Sequence, residues 1–168
     1  HNSIALCYSS TGLIEQVAQD AITFFKTGKR QHRDVVGPDY YHIMPQDVFC
    51  DCECEACAAA RGPRGPHGEI DWLNTTSVWK FTDAVARRVA QECPGKFISQ
   101  CAYYDYAGFP EGLDLATNIL CGPALGIRTA WVNPDCHEIT EYRKWVAAFP
   151  GRMGTIWVYP CFPNEGAE

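Results

Sequence analysis

Short apolar runs of strand length alternate along this chain with longer runs that repeat at helical spacing, and that alternation constrains its fold more than any other feature. Residues 3–8 (S-I-A-L-C-Y) form a short apolar run that reads as a buried strand. Ser9, Ser10, Thr11 and Gly12 follow as turn and cap residues, then Leu13, Val17, Ile22 and Phe25 recur near helical spacing until Gly28, which can stop a helix. Residues 40–44 read as a second strand ended by Pro45. Thr75, Thr76 or Ser77 can cap a second long helix, whose apolar face is Val78, Phe81, Val85 and Val89. Residues 97–104 read as a third strand and 118–122 as a short fourth. A third helix covers about 138–149, with Ile139, Tyr142, Trp145, Val146 and Phe149 as its buried stripe, and residues 155–159 form a last strand.

The order βαβαββαβ calls for an α/β fold of parallel strands joined by crossover helices. Two architectures fit, an open doubly wound sheet and part of a (β/α)8 barrel. No G-x-G-x-x-G follows the first strand and no Walker loop is present, so a nucleotide-binding sheet lacks its usual support. A whole barrel takes about 250 residues. The 168 residues here therefore read as one domain, the central part of such a barrel, with residues 46–74 as a long cysteine-containing loop. The chain opens at His1 directly before a strand-like run, which reads as a piece cut from a longer protein.

Apolar residues make up 46% and charged residues 20%, a composition that excludes a disordered chain. A net charge of −6 gives no electrostatic footprint for nucleic acid or an anionic membrane. No apolar run approaches the roughly 20 residues of a membrane span.

Four of the 10 cysteines, Cys50, Cys52, Cys54 and Cys57, fall within eight residues in F-C-D-C-E-C-E-A-C, and the other six are scattered. Thiolates at that spacing can share one ion, and a closed tetrahedral set would hold a structural zinc. The competing reading is disulfides that pin a surface loop, or reduced thiols packed beneath it.

Ligands gather at the carboxyl ends of parallel strands. Gln46 and Asp47 follow the second strand, Tyr103, Tyr104, Asp105 and Tyr106 end the third, and Trp157 and Tyr159 lie on the last. Two acids among flat aromatics suit sugar chemistry, in which rings stack on pyranoses and carboxylates act as acid, base or nucleophile. Asp47 and Asp105 are the catalytic candidates, and Gln46, Tyr103, Tyr104, Trp157 and Tyr159 the carbohydrate-binding ones. His42, inside a strand, reads as a hydrogen-bonded core histidine, and Asn74-Thr75-Thr76 fits a glycosylation sequon.

The segment M-P-Q-D-V-F-C-D-C-E-C-E-A-C resembles the strand, Asp and C-x-C-x-x-C loop of domain-of-unknown-function family 4838. F-T-D-A-V-A-R-R-V-A, C-P-G-K-F-I-S-Q-C-A-Y-Y-D-Y, N-I-L-C-G-P, Y-R-K-W-V and I-W-V-Y-P-C-F are similar to later elements of that family in the same order. The resemblance implies a glycoside-hydrolase-like (β/α)8 barrel, related to α-glucuronidase and hexosaminidase barrels, such as occurs in secreted bacterial proteins of polysaccharide use. The expected location of the parent is then extracellular or periplasmic. The resemblance makes Asp47 the family's N-D-G aspartate, and Cys52, Cys54 and Cys57 its loop cysteines. Gln46, Val48 and Val158 depart from the pattern, the last standing where the family carries an acid. The expected function is glycoside hydrolysis without a catalytic cofactor. The alternatives are a carbohydrate-binding barrel without catalysis, or a structural domain with a zinc-stabilised cysteine loop.

Overall fold

A computed structural model of the chain describes residues 6–30, 35–44, 52–61, 74–126, 137–153 and 157–159. The first helix, α1, spans Thr11–Thr27. Its start is fixed by Ser10, whose hydroxyl accepts the Leu13 N–H at 3.3 Å. Its end is fixed by Gly28, which takes the left-handed conformation at φ 72° while its N–H bonds the Phe24 carbonyl at 2.7 Å. The strand expected over 3–8 is not seen where it can be checked: Leu6, Cys7 and Tyr8 carry no strand, and residues 3–5 lie outside the described residues.

Strand β1 is Tyr40–Ile43, β2 is Phe97–Ala102, β3 is Ile119–Gly126 and β4 is Trp157–Tyr159. They form one sheet in the order β1-β2-β3-β4, and all three neighbouring pairs are parallel. Among the described strands the order never reverses, so no topological switch point of a doubly wound sheet is present. Helix α2 (Glu55–Ala60) is a single short turn within the region expected to be irregular. Helix α3 (Thr75–Glu92) makes the crossover from β1 to β2, and α4 (His137–Ala148) lies between β3 and β4. The β2–β3 crossover holds only a 3-10 turn, Tyr104–Tyr106, followed by irregular chain.

Two strand ends differ from the sequence expectation. The third strand stops at Ala102, because Tyr104–Tyr106 winds into the 3-10 turn. The fourth runs on through Pro123 to Gly126. Proline is tolerated there because β3 changes neighbours at that point: residues up to Pro123 pair with β2, and Ala124 to Gly126 pair with β4.

The helices pack on one another as a layer. Ion pairs from Lys26 to Glu92 and from Arg88 to Glu15 join α1 to α3. Trp79 of α3 and Trp145 of α4 meet with ring centroids 4.3 Å apart. The expected face of α3 is buried as read, with Val78, Val85 and Val89 fully enclosed and Phe81 at 6% exposure. It joins Ile98 and Ile119 of the sheet in one core. Trp145 on α4 and Phe149 just past its end are buried, but Val146 is exposed and Glu141 takes the inward position. The Glu141 carboxylate accepts the Phe109 N–H at 2.7 Å and pairs with Lys144, which satisfies a charge that burial would otherwise penalise.

Candidate metal centre

Cys7 sits just ahead of α1, and Cys52, Cys54 and Cys57 enter and open α2. The four sulfurs all lie within 4.8 Å of one another. Cys7 Sγ is 3.6 Å from Cys54 Sγ and 3.9 Å from Cys57 Sγ. A zinc tetrahedron with Zn–S bonds of about 2.3 Å separates its sulfurs by about 3.8 Å. A disulfide would need about 2.05 Å. The spacing is therefore that of a metal shell, and all described cysteines are free thiols.

Local structure aims the sulfurs. Cys54 caps α2, and its Sγ accepts the Cys57 N–H at 3.4 Å, so both thiols are held at the same helix start. Arg61 donates to the Cys52 carbonyl at 2.6 Å and closes the short segment on itself. Ser9 supplies a hydroxyl shared by three thiols, 3.2 Å from Cys7, 3.3 Å from Cys54 and 3.4 Å from Cys57. Hydrogen bonds from the Ser9 hydroxyl, the Cys57 amide and the neighbouring thiols hold the Cys54 thiol down to about 6. The Cys54 amide favours the thiolate of Cys52, but hydrogen bonding with the thiols of Cys54, Cys7 and Cys57, together with partial burial, pushes Cys52 up to about 12. Thiols bind a cation as thiolates, so loading a metal here would release protons.

Of the residues expected to form the cluster, Cys52, Cys54 and Cys57 are brought together and Cys50 lies outside the described residues. The fourth thiol is Cys7, one of the scattered cysteines. A cue was available in the sequence: Cys7 ends a strand-like run, and in a parallel fold such ends collect at one edge together with the loop that follows β1.

The carbohydrate candidates fare differently. Gln46 and Asp47 lie outside the described residues. Tyr104 stands in the 3-10 turn, and Trp157 and Tyr159 stand on β4, by their backbone alone. Tyr103 meets Tyr106 edge-on at 6.2 Å. Asp105 is 3% exposed. Asn74 donates its side-chain amide to Asp105 Oδ2 at 2.7 Å and its backbone N–H to the Asp105 carbonyl at 3.1 Å. That two-point clasp fastens the end of β2 to the start of α3. It also explains why Asn74, the N-cap position, makes no side-chain bond to its own helix. The sequon at Asn74 is thereby closed to glycosylation in the folded chain, since the residue is 5% exposed and its amide is engaged. Asp105→Ala is expected to cost about 2–3 kcal/mol, because it strands a buried amide, and a lower urea midpoint would register the loss.

Tyr8 connects the two regions. It follows Cys7 directly, its ring meets Phe81 edge-on at 5.3 Å, and burial together with the Asp105 charge pushes its phenol up to about 12. A cavity of about 240 Å³ opens beside it, lined in part by Leu13, Val17, Tyr41 and Phe81, with Asp20 as the one carboxylate among its described lining residues.

His42 bears out its reading as a hydrogen-bonded residue, with Nδ1 3.2 Å from the Ser99 hydroxyl. Burial holds its imidazole below the ordinary value of 6.5, which penalises the charged form in the fold. Its contribution is complete above that ordinary value and is lost as pH falls below it toward the lower folded pKa. Urea midpoints are expected to drop on that acid limb, and His42→Gln to flatten the drop. An unchanged slope would remove His42 as its source.

No helix among the described residues is long and apolar enough to cross a membrane. The chain is thus a mixed α/β protein with a cysteine cluster, and no protein-family profile, no curated protein and no solved structure matches it.

Proposed function

We propose that this chain is a metal-binding α/β domain in which Cys7, Cys52, Cys54 and Cys57 hold one structural zinc ion. The observation that carries the reading is the set of four sulfurs within 4.8 Å, with separations of 3.6 and 3.9 Å from Cys7 to Cys54 and Cys57. Thiolate ligands favour zinc among common divalent ions, and four of them fill its tetrahedral shell. No position is left for water or substrate, so the ion's task is to join the segment ahead of α1 to the loop around α2. Metal analysis of the purified chain is expected to find one zinc per molecule, and cobalt substitution to give the intense visible bands of a tetrahedral thiolate site. Absence of bound metal, or equal binding by Cys7→Ser, would overturn the assignment.

A second reading is a glycoside-hydrolase-like barrel segment that acts on polysaccharide or oligosaccharide. It is favoured by the unreversed parallel strand order and by the helices packed as one layer. In this reading Asp47 and Asp105 are the acid and base, Gln46, Tyr103, Tyr104, Trp157 and Tyr159 bind the sugar, and the rest of the barrel comes from a secreted bacterial parent. A barrel that binds glycans without cleaving them is its non-catalytic form. A hydrolysis screen of the parent protein with Asp47→Asn as control tests it: sugar released by the wild type alone supports it, and silence on every glycan removes its catalytic form.

A further inference from the structure

Cys7 and Cys54 combine separation in sequence, close sulfurs and, at Cys54, exposure. They belong to segments 47 positions apart in sequence, their sulfurs are 3.6 Å apart, and Cys54 is exposed. Cys57 is 6% exposed, and its thiol donates to Ser9 at 3.4 Å. We propose that peroxide exchanges the metal for a Cys7–Cys54 disulfide, so that zinc leaves while the two segments stay joined. The proposal rests on the zinc reading above.

The exchange balances with hydrogen peroxide as the oxidant. The Cys54 sulfur attacks one peroxide oxygen, the O–O bond breaks, and the departing hydroxide takes a proton to leave as water. The Cys7 thiolate then attacks the Cys54 sulfenic sulfur. The S–S bond forms as the S–O bond breaks, and the second hydroxide leaves as water after taking another proton. Two thiolates, one peroxide and two protons give one disulfide and two waters. The two sulfurs together lose the two electrons that the peroxide gains. The sulfurs need to approach by only about 1.5 Å to reach bonding distance. Cys52 and Cys57 remain, and two thiolates are half of the shell that zinc requires.

This differs from ordinary oxidative loss of a zinc site. A disulfide confined to the loop, such as Cys54–Cys57, would free the segment ahead of α1. The Cys7–Cys54 bond closes the same long loop that the metal closed, so the constraint on the unfolded chain survives.

The test uses the full chain loaded with zinc and titrated with hydrogen peroxide in the presence of a chromogenic zinc chelator. The expected result is one zinc released per chain, in step with a Cys7–Cys54 disulfide in the non-reducing peptide map. The melting temperature of the oxidised chain should stay near that of the zinc form, while chelation under reducing conditions lowers it by about 10 °C. Peroxide-treated Cys7→Ser should fall to the chelated level. Retained zinc, release accompanied only by sulfinic acids, or a Cys54–Cys57 pair would overturn the exchange. A chain that takes up no zinc at the outset would overturn the metal reading itself.

Discussion

Trp79→Ala is expected to remove most of the stability of this domain. The indole is fully enclosed, packs on Trp145 at 4.3 Å, and donates to the Tyr106 carbonyl at 3.0 Å. Emptying such a site costs about 3–5 kcal/mol in lost burial and residual cavity. The abandoned Tyr106 carbonyl adds about 1 kcal/mol. A domain of this size holds only about 5–15 kcal/mol in total. The loss should therefore appear as a large fall in the urea midpoint, or as a chain that no longer folds cooperatively. Trp79→Phe keeps a ring in the same place and should recover most of the difference. A wild-type midpoint in Trp79→Ala would mean that α3 and α4 do not depend on this contact.

The second large effect is expected from Cys7→Ser in the zinc-loaded chain. A cross-link between positions 47 apart removes loop-closure entropy from the unfolded state worth about 4 kcal/mol. The substitution also takes away one of four ligands, so zinc should no longer bind with one-to-one stoichiometry. The comparison that isolates the metal is the same substitution in chelator, where the wild type has already lost its tether. There the two proteins should differ by well under 1 kcal/mol. An equally large gap in chelator would show that Cys7 acts through packing instead.

The elements that could be read from the sequence are those whose signals are local. Ser10 and Gly28 bracket α1 because a hydroxyl cap and a left-handed glycine act within one turn of the residues they terminate. The face of α3 was legible because Val78, Phe81, Val85 and Val89 repeat at helical spacing and meet no competing demand. On α4 the same counting predicted Val146 inside. It could not foresee that the Phe109 N–H, far along the chain, requires an acceptor and draws Glu141 inward. The fourth strand was read only over 118–122, because pairing of one strand with two successive neighbours is a property of the sheet and not of the segment. The metal centre was half legible for the same reason. Cys52, Cys54 and Cys57 announce themselves by spacing, whereas Cys7 reaches them only once α1 has folded back on α3. Asp105 was marked as a catalytic acid by its place after a strand, and its clasp with Asn74 depends on a partner 31 positions away.

The change of partner along β3 leaves two ladders of unequal length among the described residues, five rungs to β2 and three to β4. The rungs shared by β2 and β3 lie over the core formed with α3, whereas the described rungs of β4 on β3 are Ala124–Trp157, Leu125–Val158 and Gly126–Tyr159. The backbone between α4 and β4 adds one more attachment, where the Cys121 N–H bonds the Arg152 carbonyl at 3.1 Å. Local unfolding follows the weakest ladder. β4 is therefore expected to open ahead of the β1–β2–β3 body. Amide protons at its rungs would exchange with solvent through that partial opening long before those of Ile98 or Gln100.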